Sequence, residues 1–237
     1  MSTTSPHIQP DAATNTLASR TGCTPEQRVT RSLLGYGILA GPFYVGLSLA
    51  QAAVRSGFDL SRHEWSLLAN GPGGWVQIVN LILTGLMVLA AAVGYRRVLG
   101  SGIGRRWAPR LLGVYGTCLV AAGVFTADPM GGFPIGTPAG PPVSPSLHST
   151  LHIVFGGIGF LALIAAAVVL ARRFQHEGRR GWAVFSLATG VLFLAGFAGI
   201  ASGATTPALN LAFTAAVILA WAWLSGTSAH YYRHETV

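Results

Sequence analysis

The chain has 237 residues, of which 51% are hydrophobic and only 9% are charged. A soluble globular domain has about 25% charged residues, so a chain this poor in charge cannot cover a soluble surface, and a soluble enzyme is nearly excluded. The net charge of +8 comes from fifteen arginines and no lysine. These arginines lie between apolar segments, so we interpret them as topology signals and contacts to anionic lipid headgroups rather than as a nucleic-acid surface.

The N-terminal segment, residues 1–32, is polar and rich in Ser, Thr, Ala and Pro. It has no apolar stretch of the kind that a cleavable signal peptide requires, so we expect a disordered cytoplasmic tail. Near its end, Thr24-Pro25-Glu26-Gln27 is typical of a helix start, with Thr24 as N-cap, Pro25 in the first position and Gln27 in the third. A short helical lead-in to the first membrane span is therefore predicted.

Six apolar segments follow, each long enough to cross about 30 Å of hydrocarbon at about 1.5 Å per residue. They are Leu33–Val54, Trp75–Gly94, Ala108–Ala127, Ser149–Ala171, Trp182–Ala201 and Pro207–Leu224. The pattern predicts an all-α fold, a polytopic transmembrane bundle of six helices over residues 33–226. A short cytoplasmic tail over residues 227–237 is expected to follow it.

The distribution of arginines predicts the orientation of the bundle. With six spans, thirteen arginines fall on one side, namely Arg20, Arg28, Arg31, Arg96, Arg97, Arg105, Arg106, Arg110, Arg172, Arg173, Arg179, Arg180 and Arg233. Only Arg55 and Arg62 fall on the other side. The positive-inside rule then places both termini in the cytoplasm of a multi-pass plasma-membrane protein.

Small and polar residues inside the spans predict how the helices pack. Small residues let helices approach closely in lipid, and they recur at Gly37 and Gly41, at Ala195 and Gly199, and at Gly156, Gly157 and Gly159. Polar residues lie in or near the spans at Gln51, Gln77, Asn80, Thr84, Asn210 and Thr214. Such groups usually bond a neighbouring helix, or else line a pathway. Because no charged residue lies in the middle of a span, we rank transport below a surface site.

Six of the fourteen Asp, Glu and His residues collect in two loops on the side opposite the termini. The first loop contains FDLSRHEWSLL, residues 58–68. If this stretch is a short interfacial helix capped by Asp59, then Asp59, His63 and Ser66 share one face. The second loop begins at Asp128 and ends at His148 and His152, one helical turn apart at the start of the fourth helix.

Three interpretations of this group remain open. Two histidines four residues apart form half of a zinc site, which Asp128 or His63 can complete, and a bound metal would polarise a water or a carbonyl. Alternatively, Ser66 or Thr150 is a nucleophile, with His152 or His63 as base and Asp128 or Asp59 as the orienting group. In the third interpretation the histidines are structural, and one of them is hydrogen-bonded to Asp128.

Three parts of the chain together carry a family resemblance. They are LLGYGILAGPFYVGLSLAQAAVRSGFDLSRHEWSLLANGPGGWVQIVNLILTGLMVLAAAVG over residues 33–94, GVFTADP after the third helix, and LHSTLH opening the fourth. The chain resembles the domain-of-unknown-function 998 family of six-helix integral membrane proteins, many of them actinobacterial. The resemblance supports the fold and implies functional positions at Ser66, Asp128 and His152, but it supplies no activity.

The grouping of Ser, Asp and His at one membrane face is also similar to that of the membrane hydrolases of the alkaline ceramidase and adiponectin-receptor superfamily. We therefore expect an extracytoplasmic polar pocket, and the leading hypothesis is a metal-dependent hydrolase of a lipid or amphiphile. Asp128, His152 and Ser66 are its candidate catalytic residues, and His148, His152 and Asp128 its candidate zinc ligands. The alternative is a non-catalytic accessory, small-molecule-binding or transport protein whose outer polar cluster is structural. The bilayer is the expected partner in both cases.

Overall fold

Six long helices form the computed structural model, which describes residues 24–204 and 206–234. They are α1 (Pro25–Val54), α2 (Gly74–Val98), α3 (Trp107–Val124), α4 (Leu147–His176), α5 (Arg180–Ala201) and α6 (Pro207–His234). Each is long and apolar enough to cross a membrane, and the described ranges contain no β-strand. The all-α fold and the six predicted spans are confirmed.

The helices form a closed ring in chain order. Each helix packs against its sequence neighbours, and α6 closes the ring by packing against α1. One continuous core joins all six, with Leu34 from α1, Phe193 from α5 and Trp223 from α6 among its buried members. This up-and-down order defines two ends of the bundle. We call the end where α1 begins the terminal face, and the end that carries the α1–α2, α3–α4 and α5–α6 loops the loop face.

The outward surfaces of the helices are apolar. Large hydrophobic side chains such as Leu39, Leu86, Leu161, Val191 and Leu211 are exposed, although each belongs to a long helix. A helix that is apolar on both its packed and its outward face belongs in lipid rather than in water. The chain is therefore a multi-pass membrane protein whose surroundings are the lipid bilayer.

Both ends of the bundle extend beyond the predicted domain boundaries. The side chain of Thr24 accepts a hydrogen bond from the Gln27 amide, and the Gln27 side chain accepts one from the Thr24 amide. This capping box confirms the predicted helix start, so residues 25–32 are helical and are not part of a disordered tail. At the other end α6 continues to His234 because the aromatic ring of Tyr231 is still buried in the core. Residues 1–23 and 235–237 lie outside the described residues.

Glycines allow the close helix contacts that the sequence predicted. A Cβ atom at Gly41 would lie 2.8 Å from the Trp221 carbonyl oxygen of α6, and one at Gly159 would lie 2.8 Å from the Cβ atom of Cys118 in α3. Gly37 and Gly199 face equally close neighbours. Gly156, in contrast, has nothing within 4 Å of a Cβ position, so it does not contribute to this packing.

Candidate functional site at the loop face

His63 joins the two long loops of the loop face. Its ring is 2% exposed, with Nδ1 3.0 Å from the Asp59 amide nitrogen and Nε2 3.0 Å from the Gly131 carbonyl oxygen. The Asp59 amide can only donate and the Gly131 carbonyl can only accept. These two contacts require Nδ1 to accept and Nε2 to donate, and through them His63 links the α1–α2 loop to the α3–α4 loop.

The predicted interfacial helix over residues 58–68 is wrong. Asp59 caps a tight turn instead, in which its Oδ1 accepts bonds from the amide and the hydroxyl of Ser61 at 2.8 and 2.7 Å. These two bonds lower the pKa of the Asp59 carboxyl. Helical structure starts only at the short 3-10 helix Trp65–Ala69. Ser66 lies in that 3-10 helix, half-buried, so no single helical face carries Asp59, His63 and Ser66 together.

The α3–α4 loop covers the α1–α2 loop. Phe133 is 1% exposed and packs edge-on against Phe58, with ring centroids 5.2 Å apart. The guanidinium of Arg55 lies 5.2 Å from the centroid of the Phe133 ring. The same guanidinium donates to the Leu68 and Asn70 carbonyl oxygens at 3.1 and 2.5 Å. The two loops thus form one packed unit, which we call the loop cap (residues 55–73 and 125–146).

Asp128 closes a ring of hydrogen bonds between the end of α3 and the start of α4. Its two carboxylate oxygens accept bonds from the hydroxyl and the amide of Ser146, at 2.6 and 2.7 Å. The Ser146 hydroxyl oxygen accepts a bond from the Ser149 amide, and the Ser149 hydroxyl oxygen accepts one from the Asp128 amide. Ser146 is the N-cap of α4. The Asp128 carboxylate therefore holds the residue that starts this helix, and the Ser146 bonds lower the pKa of Asp128.

His152 is held against the end of α3. Its Nδ1 lies 2.8 Å from the Phe125 carbonyl oxygen and 3.1 Å from that of Ala122. Because carbonyl oxygens only accept, Nδ1 carries a proton, and in the neutral ring Nε2 is an acceptor. His148 lies one turn earlier on α4, exposed, with its ring 5.5 Å from that of Phe125. Neither histidine is hydrogen-bonded to Asp128. The predicted bond between a histidine and Asp128 is therefore replaced by bonds of Asp128 to Ser146 and of His152 to the backbone of α3.

The predicted site residues lie at one face but are not gathered into one centre. Within residues 24–204 and 206–234, no three His, Cys, Asp or Glu side chains are close enough to hold a metal ion. In the same part of the chain, no hydrogen bond connects Ser66 to His152 or Asp128. The catalytic assignment of Asp128, His152 and Ser66 and the zinc assignment of His148, His152 and Asp128 therefore stay predictions.

A buried polar layer lies between α1 and α2 below the loop cap. Gln77 is its centre: its Oε1 accepts bonds from Gln51 at 2.8 Å, from Asn80 at 3.2 Å and from Ser48 at 3.3 Å. Asn80 also donates to the Tyr44 carbonyl oxygen of α1. The prediction that polar residues in the spans bond a neighbouring helix is confirmed for Gln51, Gln77 and Asn80.

The hydrogen-bond partners of the predicted site residues were not predicted from the sequence. Ser146 and Ser149, which bind Asp128, were not identified, nor was Ser48 in the buried layer. A Ser-x-x-Ser pair preceding an apolar run is a helix-cap signal, and it was present in the sequence at residues 146–149. Gly131, whose carbonyl oxygen binds His63, carries no sequence signal of that role.

Replacing Asp128 by asparagine should give a pH-dependent loss of stability. The folded state lowers the pKa of Asp128, so the carboxylate stabilises the fold above its unfolded pKa of about 3.9. This stabilisation is lost as the pH falls through the folded pKa. We expect the variant to melt about 1–4 °C below the wild type at pH 7, because solvent screens these exposed bonds and reduces their contribution to about 1 kcal/mol or less. The gap should close in acid, and an equal gap at pH 7 and pH 3 would contradict this account.

Comparison with known proteins identifies a family and no characterised relative. No curated protein and no solved structure matches the chain. The family model described as a protein of unknown function, DUF998, matches residues 38–230, a range that runs from α1 to α6 and includes the whole loop cap. The chain therefore belongs to the DUF998 family, as the sequence resemblance indicated.

Proposed function

We propose that this chain is a non-catalytic membrane protein, an accessory or small-molecule-binding component, in which the polar cluster of the loop face is structural. One observation carries the proposal. The polar groups expected to do chemistry are already bonded within the fold: both Asp128 oxygens to Ser146, both His63 nitrogens to backbone, and His152 Nδ1 to α3. A catalytic group needs a free position facing a substrate.

The orientation that we propose follows from charge. Of the described arginines, only Arg55 and Arg62 belong to the loop face. The positive-inside rule then places the terminal face on the cytoplasmic side of the plasma membrane. Reporter fusions after residue 237 and within residues 136–142 test it. We expect the first to be active in the cytoplasm and the second outside, and the reverse result would contradict the orientation.

The variants Asp128→Ala and His152→Ala test the structural role. Each removes hydrogen bonds that join the end of α3 to the start of α4, and solvent replaces part of them because Ser146 is exposed. At about 0.5–1.5 kcal/mol per variant, we expect each purified variant to melt a few degrees below the wild type. Thr150→Ala is the matched control, because the exposed Thr150 hydroxyl bonds only the Ser146 carbonyl one turn earlier in its own helix. Wild-type melting of both test variants would contradict the proposal.

The hydrolase hypothesis is the second candidate, and one observation favours it. His152 donates from Nδ1 to a backbone carbonyl, which fixes its tautomer and leaves Nε2 as an acceptor, the arrangement found in metal ligands and general bases. Under this alternative the enzyme is metal-dependent and acts on a lipid or amphiphile at the loop face. The purified wild type would then hydrolyse phospholipid or ceramide substrates, and Asp128→Ala and His152→Ala would lose that hydrolysis even where the folded protein remains intact.

A further inference from the structure

A groove lies between α2 and α3 at the terminal face, on the opposite side of the membrane from the loop cap. Its volume is about 470 Å³. Four arginines border it, namely Arg96, Arg105, Arg106 and Arg110. The rest of its wall is apolar or small, formed by Leu89, Ala92, Val93, Pro109 and Gly113. The groove therefore combines a cationic end with an apolar one.

The four arginines have no acidic partner in the described part of the chain. The ion pairs found there join Glu177 to Arg173 and to Arg179, and neither of these arginines borders the groove. The guanidinium of Arg110 lies 5.9 Å from the centroid of the Trp107 ring. Like charges this close together repel each other, and an anion in the groove would relieve that repulsion.

The position of the groove along the bundle suits a phospholipid. Trp107, which begins α3 and neighbours the Arg110 guanidinium, is 62% exposed, and exposed tryptophan at a helix end is typical of the headgroup level. Val93 and Leu89 lie successively deeper along α2, and the exposed Val93 side chain faces the lipid. A ligand with a phosphate at the level of the arginines would thus have its acyl chain along α2 and α3.

The loop that carries two of these arginines is held in place by the neighbouring helix. Arg173 of α4 donates from Nη1 to the carbonyl oxygens of Ser101 and Ile103, at 2.9 and 3.0 Å. Its Nε lies 2.7 Å from the carboxylate of Glu177. Arg105 and Arg106 follow Ile103 after a single residue, Gly104. Their backbone is therefore positioned before any ligand arrives, which lowers the entropic cost of binding.

We propose that this groove binds one anionic phospholipid of the leaflet at the terminal face. The guanidinium groups of Arg105, Arg106 and Arg110 hold the headgroup phosphate, since arginine pairs with phosphate through parallel hydrogen bonds. The apolar wall around Gly113 takes the upper part of an acyl chain. A zwitterionic lipid binds less well because its ammonium group meets the same positive charges. This inference is independent of the role of the loop face.

Native mass spectrometry of the full-length protein in detergent, titrated with phosphatidylglycerol or phosphatidylcholine, tests the proposal. The test variant is Arg105→Gln/Arg106→Gln/Arg110→Gln. Its control is Arg97→Gln/Arg172→Gln/Arg180→Gln, which removes the same charge from exposed arginines outside the groove. We expect one tightly bound phosphatidylglycerol in the wild type and the control. The groove variant should bind it at least about tenfold more weakly, since each basic residue near an anionic lipid contributes about a fivefold affinity factor.

A second variant guards against misfolding of the first. Gly113→Leu keeps every arginine and fills the apolar wall, where a Cβ atom meets nothing within 4 Å, and it should also weaken phosphatidylglycerol binding. Equal weakening in the groove and control triple variants would show a diffuse charge effect and overturn the site. Equal binding of both lipids would overturn it as well. Displacement of the lipid by glycerol phosphate at matched concentration would assign the arginines to a free phosphate and overturn the lipid assignment.

Discussion

Replacing Gln77 by leucine should destabilise the bundle by breaking the polar layer between α1 and α2. The substitution keeps the side-chain size but removes the oxygen that accepts bonds from Ser48, Gln51 and Asn80. Gln77 is fully buried, so water cannot replace these bonds. Polar bonds between membrane helices contribute about 0.6 kcal/mol each on average and up to about 1.7. Three bonds to the Gln77 oxygen are lost at once, although Gln51 and Asn80 keep backbone acceptors in α1. We expect a loss of about 2–3 kcal/mol.

Thermal unfolding of the purified protein in detergent measures this effect. A loss of this size corresponds to a decrease in Tm of roughly 5–10 °C for a chain of this length. Thr117→Val is the control, because the exposed Thr117 hydroxyl bonds only the Gly113 carbonyl of its own helix. We expect the control to melt within about 1–2 °C of the wild type. If Gln77→Leu melts with the control, the polar layer does not hold α1 and α2 together.

The second large effect is expected from His63→Ala, which disconnects the two loops of the loop cap. The variant leaves the Asp59 amide and the Gly131 carbonyl without their partner. It also opens space beside the rings of Phe58 and Phe133, which lie 5.3 and 5.7 Å from the His63 ring. Each of these two part-buried bonds contributes about 0.5–1.5 kcal/mol, and the packing of a buried ring is lost as well, so we expect a total loss of about 2–4 kcal/mol.

Hydrogen exchange distinguishes this local loosening from general destabilisation. The amides of Gly131 and Gly132 are bonded within the α3–α4 loop, to Gly140 and Pro138 respectively, and we expect both to exchange faster in His63→Ala. Amides in the middle of α2 should exchange as in the wild type. His148→Ala is the matched control because that ring is exposed and borders only Phe125. Unchanged exchange at Gly131 would show that His63 does not hold the loop.

Periodicity and composition were sufficient to predict the helices of this protein. Six apolar segments of membrane-spanning length leave few alternatives, because a lipid-exposed backbone must satisfy its hydrogen bonds internally. The start of α1 was predictable from four residues, since Thr24, Pro25 and Gln27 each have one favoured place in a helix N-terminus. The end of α6 was not, because burial of Tyr231 against other helices is a tertiary contact.

The sequence predicted which residues lie at the loop face, but not which of them are in contact. The alternation of spans places Asp59, His63, Asp128, His148 and His152 on one side of the membrane, and the structure agrees. Which of them meet depends on the path of two irregular loops, and no period in the sequence encodes that path. His63 bonds a backbone carbonyl 68 positions away, and backbone partners leave no side-chain signature. The chemistry assigned to these residues was therefore underdetermined by sequence.

The metal content of the purified protein shows whether the histidines and aspartates of the loop face are structural. Wild type and the double variant His148→Ala/His152→Ala are purified without chelator, resupplied with zinc, desalted and measured by elemental mass spectrometry. The account predicts that neither protein retains stoichiometric zinc. Near-stoichiometric zinc in the wild type that is lost in the double variant would contradict it and make His148 and His152 metal ligands.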